Sequence, residues 1–177
     1  MDATPSRPAG AATRPMFREQ GRAFLAVPRA VPACRMIIRA GLFAHGLADL
    51  ADNACAVATE LATNAVSAMQ IERQSGRLGG LPPFVVLSLE WMTSGVRIGL
   101  WDDSPGIPSI RAPARGAETV DGLVVVDSLT AGRWGWFAAG TGKCVWAEIS
   151  RPTPQPRTGR PRTGRRSRDG GPGTRRT

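Results

Sequence analysis

From Ala30 to Gly46 the apolar side chains Val31, Cys34, Ile38 and Leu42 recur at intervals of three and four. That spacing predicts an amphipathic helix, with Pro32 tolerated in its first turn and Gly46 able to close it. A second stripe, Leu50, Ala54, Val57, Leu61, Ala65 and Ala68, predicts another helix, opened by Asp49 or Asp52 and running to about Ile71. Before these, the short run RAFLAV (Arg22 to Val27) reads as a strand ended by Pro28. After them SGRLGGLPP is a loop, and two β-rich runs, Phe84–Trp91 and Val96–Trp101, flank MTSG as a hairpin.

Residues 103–120 hold too many Pro and Gly for regular structure, and an irregular stretch of that length inside a domain is often functional. A short helix is expected over Asp121–Ala131 with Leu123, Val126 and Leu129 inward. Two closing strands follow, Arg133–Phe137 and Lys143–Ser150. The order β-α-α-β-β-loop-α-β-β favours an α+β two-layer α/β sandwich, its sheet mixed but mostly antiparallel and covered by helices on one face.

Charge changes the picture only at the end of the chain. The net charge is +9 over 177 residues, yet residues 151–177 carry nine arginines against Asp169, which leaves about +1 for residues 1–150. The division expected is a flexible segment 1–21, a domain 22–150 and a disordered Arg/Pro/Gly-rich tail 151–177. The tail could hold nucleic acid electrostatically, but it has no aromatic side chain to stack on a base. No apolar run is long enough to cross a membrane. Cys34, Cys55 and Cys144 are scattered and odd in number, which suits reduced thiols in the cytoplasm.

Candidate chemistry sits at two places. Glu60 and Asn64, four apart in ATELATNAV, project side by side from the second helix. WDDSPGIP, Trp101 to Pro108, sets two carboxylates at the end of an apolar strand before a Pro/Gly turn. Either alone has a plain reading, a polar helix side or an Asp-opened turn. Together with the long loop they outline a nucleotide pocket.

The stretches GLADLADNACAVATELATNAV, VRIGLWDDSPGIP and GLVVVDSLTAGRWGWFAAGTGKCVWAEI resemble the GHKL (histidine kinase-like) ATPase superfamily, most closely the small bacterial anti-sigma-factor serine/threonine kinases of actinobacterial type. The resemblance covers about Arg22 to Ile149 and implies the Bergerat-type ATP-binding fold. It implies ATP and Mg²⁺ as cofactors, with Asn64 as the metal ligand and Glu60 as the catalytic carboxylate that accepts the hydroxyl proton or orients a water. It implies Asp102 as acceptor for the adenine amino group, Gly106 and Gly122 as backbone contacts, and Thr141 as an adenine-side hydrogen bond. Residues 103–120 would stand as the ATP lid. The implied partners are a sigma factor and an anti-sigma-factor antagonist, and a homodimer is compatible with it.

The pattern also departs from the family. Ser104 replaces the first glycine of its box, Ser67 and Ala68 replace an Arg-His, and the second glycine box shrinks to Gly122–Leu123 preceded by the acidic Asp121. The activity expected is transfer of the ATP γ-phosphate to a Ser or Thr of the antagonist. The alternative is a weak or inactive module of the same fold that sequesters a sigma factor or antagonist.

Overall fold

The computed structural model describes residues 17–110 and 122–152, with side chains from residue 21 onward. The elements run β1 (Phe17–Leu25), α1 (Ala30–Ala44), one 3-10 turn (Ala48–Leu50), α2 (Ala51–Gln74), β2 (Phe84–Met92), β3 (Gly95–Asp102), α3 (Gly122–Thr130), β4 (Trp134–Ala139) and β5 (Gly142–Ser150). The expected order holds throughout. The architecture is α+β: one five-stranded sheet, β1-β2-β3-β5-β4, packed by helices on one face. The mostly antiparallel pairing expected extends to every strand pair.

Alternation along the strands sets the core. Leu87 and Leu89 of β2 stand opposite Leu100 and Ile98 of β3, which stand opposite Val145 and Ala147 of β5. All six are buried, and they meet Cys34, Ile38 and Leu42 of α1 and Val57, Leu61 and Met69 of α2. Each large aliphatic side chain so covered stabilises the fold by about 1.5–3 kcal/mol relative to exposure. Alanines at 54, 58, 62 and 65 are buried too, and their small size lets α2 lie close to its neighbours.

Several boundaries differ from the sequence reading. β1 begins at Phe17, inside the segment expected to be loose, because the long β2 edge supplies backbone partners up to Phe17↔Trp91, with an irregularity between Glu19 and Arg22. Residues 1–16 lie outside the described part. Neither Asp49 nor Asp52 caps α2: Leu50 is its N-cap residue, and the 3-10 turn leads into it. Asp49 is held by Arg151 instead, with Nε–Oδ2 at 2.8 Å, while Arg151 also donates to the Gly46 carbonyl at 2.9 Å. Arg151 is thus anchored to the domain; the expectation of disorder for the tail falls on residues 153–177, outside the described part. His45 is the C-cap residue of α1, with its ring stacked on Trp91 at 4.2 Å.

Candidate functional site

α2 is unbroken over 24 residues, so Glu60 and Asn64 lie one turn apart on one side of it. Glu60 is half-buried and Asn64 is exposed. The Glu60 carboxylate lies against Gly122, the first residue of α3: a Cβ there would overlap Oε2 and stand 3.5 Å from the Glu60 Cβ. Gly122 is therefore the residue that allows α3 to start beside this carboxylate. On its other side Glu60 lines an open groove of about 350 Å³ between α1 and α2, shared with Arg35, Arg39, Asp52 and Thr59. Arg39 donates to Asp52 at 2.9 Å across it.

The second cluster forms at the end of β3. Asp102 is only 1% exposed, and the antiparallel register sets it opposite Lys143 of β5. Lys143 Nζ lies 2.6 Å from Asp102 Oδ1, bonds the Ser104 hydroxyl, and lies 3.3 Å from the Ser104 carbonyl oxygen. The Ser104 N–H donates to the same Oδ1 at 3.0 Å. An ammonium has three donors, and here three acceptors meet them. A buried charge needs such pairing, since its desolvation is otherwise uncompensated.

Glu72, near the end of α2, is buried and bound by Arg77, with Nη2–Oε1 at 2.6 Å. The Arg77 hydrogen bonds hold the Glu72 carboxyl below the usual carboxylate range against the opposing effect of burial, and the Lys143 charge adds a smaller attraction. Lys143 therefore stands within electrostatic reach of two acids. Asp103 donates its N–H to Met69 Sδ at 3.2 Å, and its carboxylate accepts from the Thr141 hydroxyl.

The structure thus brings Glu60 to Gly122, with Asn64 one turn along, and separately gathers Asp102, Ser104 and Lys143, with Thr141 joined through Asp103. Gly106 is exposed, with open space where a Cβ would stand. Asp121 and most of the expected lid, residues 111–120, lie outside the described residues. The grip of Lys143 on Asp102 was not legible in GTGKCVW; it follows only from the β3–β5 register. Its one sequence signal is a lysine at the head of a mostly apolar closing strand.

The fit to the implied ligands is unequal. Among the described residues no group of three His, Cys, Asp or Glu side chains could hold a metal. Mg²⁺ would rest on the Asn64 amide oxygen, phosphate oxygens and water, which suits an ion that keeps part of its hydration shell. On the adenine side the Lys143 ammonium engages one oxygen of Asp102, Oδ1. Cys34 offers no chemistry: burial pushes its thiol up to about 11.

No protein-family model matches the chain, and no curated protein matches it. Among solved structures, two nucleotide-free forms of the catalytic domain of histidine kinase ThkA are similar. One shows 16% identity, a TM-score of 0.43 and coverage of 75% of this chain and 96% of that one. The other shows 14% identity, a TM-score of 0.41 and the same coverage, 75% and 96%. That likeness is too loose to assign a ligand or an activity. Among the described residues no helix is long and apolar enough to cross a membrane.

Proposed function

We propose that this chain is a cytoplasmic Mg²⁺-ATP-binding regulator of the anti-sigma-factor kinase kind, which passes the γ-phosphoryl group to a serine or threonine of an antagonist protein. The observation that carries the reading is the Glu60 carboxylate set against the start of α3, one turn before Asn64. The start of α3 carries the positive end of its backbone dipole, which favours negative charge nearby. Glu60 there is placed to accept the proton of an incoming hydroxyl as its oxygen bonds to phosphorus and the bond to the ADP oxygen breaks. Asn64 would hold the metal, whose charge offsets that of the triphosphate when bound.

A second reading, a nucleotide-poor module that sequesters a sigma factor or its antagonist, is favoured by the Lys143–Asp102 pair, which engages Oδ1 of the expected base-reading carboxylate. A single-turnover assay with γ-labelled ATP and a panel of small antagonist-type proteins separates the two. Label on a serine or threonine, lost in Glu60→Gln, supports transfer. A thermal scan completes the test: ligand at about 100 times its Kd stabilises by about 2.7 kcal/mol. No shift at millimolar Mg²⁺-ATP removes the kinase reading.

A further inference from the structure

We infer that Lys143 is a positioning residue for base recognition: by holding Oδ1 of Asp102 it fixes the carboxylate in the orientation that leaves Oδ2 as the acceptor for the adenine amino group. The inference rests on the nucleotide-binding reading above, and it assigns the selection of adenine to the pair rather than to Asp102 alone. An ionised carboxylate only accepts hydrogen bonds, on two oxygens that swing as the group turns about its Cβ–Cγ bond. A group that reads a ligand has to be held against that turning by neighbours that do not touch the ligand themselves.

Among the described residues, every hydrogen bond to the Asp102 carboxylate falls on one oxygen. Lys143 Nζ lies 2.6 Å from Oδ1, and the Ser104 N–H donates to the same atom at 3.0 Å. No donor among them meets Oδ2. The one fully buried side-chain nitrogen or oxygen left without a hydrogen bond there is Arg97 Nε, so Oδ2 is not sealed inside the protein. Gly106 and Thr141, on the segments that flank the pair, are exposed.

Lys143 for its part is fully engaged by the protein. Its ammonium also meets the hydroxyl and the carbonyl oxygen of Ser104, which occupies all three donors. It therefore acts through Asp102 and not on the ligand. Neither partner can drift: the Asp102 side chain is 2% exposed, the Lys143 side chain 9%, and the two are cross-strand neighbours. Gly142, where a Cβ would overlap the Asp102 carbonyl, lets β5 approach closely enough for the contact. Ser104, standing where the resemblance leads one to expect a glycine, has a use in this arrangement. Its N–H steadies Oδ1, and its two oxygens seat the ammonium.

The test is calorimetric titration of the full chain with ATP and with purine riboside triphosphate, which carries hydrogen in place of the amino group, each with Mg²⁺. Wild type, Lys143→Met, Lys143→Gln and Lys143→Arg are compared. A change in the attraction for the triphosphate acts on both nucleotides alike and cancels in the ratio of their affinities. Wild type should prefer ATP about tenfold, the discrimination expected of one buried hydrogen bond. Lys143→Met, and Lys143→Gln with its shorter side chain, should bring the two nucleotides within about threefold of each other. Lys143→Arg, whose donors still reach Oδ1, should restore most of the preference. Equal wild-type affinities overturn the inference while leaving the nucleotide-binding reading intact. So does a folded Lys143→Met or Lys143→Gln that keeps the wild-type ratio, since Lys143 then only holds the strands together. A folded Lys143→Arg that selects no better than Lys143→Met overturns it as well. Failure of both nucleotides to bind wild type removes the nucleotide-binding reading and the inference with it. Should Lys143→Met not fold, Lys143→Gln decides with the same expectation.

Discussion

The carboxylate of Glu60 and the first residue of α3, Gly122, are in such contact that a methyl group on Gly122 would clash with Oε2. The overlap is with the end of a flexible side chain, so the chain can relieve it by turning Glu60 away. Gly122→Ala is therefore expected to keep stability within about 1 kcal/mol, since alanine favours the helix. Phosphoryl transfer should fall about a hundredfold, because a displaced base loses its reach to the hydroxyl. Urea midpoints and single-turnover rates on the same samples check both halves.

Asn64 is exposed. Asn64→Ala should leave the melting temperature of the free protein unchanged within about 1 °C, as a surface substitution does. It should abolish the part of the nucleotide-induced thermal shift that requires Mg²⁺. A shift of equal size with and without the metal, in wild type, would remove Asn64 from the site.

Removing one member of a buried ion pair is costlier than removing both. Lys143→Met should lower stability by about 3–5 kcal/mol, because Asp102 is left charged and unpaired under the sheet. Adding Asp102→Leu to it should recover most of that loss. Denaturant unfolding of the two single variants and the double variant gives the coupling directly.

Gly142 opens β5 where a Cβ would meet the Asp102 carbonyl and come within 2.7 Å of the Asp103 Cα. These are backbone atoms of the neighbouring strand and cannot turn aside. Gly142→Ala should cost about 1–3 kcal/mol and separate β3 from β5 at the end where Lys143 pairs with Asp102. Faster amide exchange confined to Asp102, Asp103 and Lys143 is the expected signature.

Glu72 titrates below its ordinary value of 4.5 because Arg77 holds the charged form. A carboxyl with a depressed folded pKa contributes stability above its unfolded pKa, and the contribution fades as pH falls through the folded value. Arg77→Met should thus be clearly less stable than wild type near pH 7, with the gap closing as the pH falls below the ordinary carboxylate value of 4.5. A gap that stays constant on acidification would show that Arg77 acts through packing of its stem.

The sequence by itself determined the elements and their order, because hydrophobic period is a local property: Ile38 and Leu42 mark α1 and the alternation Val85, Leu87, Leu89 marks β2. It also put Glu60 and Asn64 on one side of one helix, since a four-residue interval fixes that without reference to the rest of the chain. The tertiary structure decided what each polar group meets. Asp102 and Lys143 are 41 residues apart, and only the β3–β5 register, set by burying Leu100 against Val145 on the same face, turns a strand-end acid into half of a buried pair. Glu60 meets Gly122 for the same reason: the packing of α3 on α2 is a long-range balance of buried area that no local pattern records.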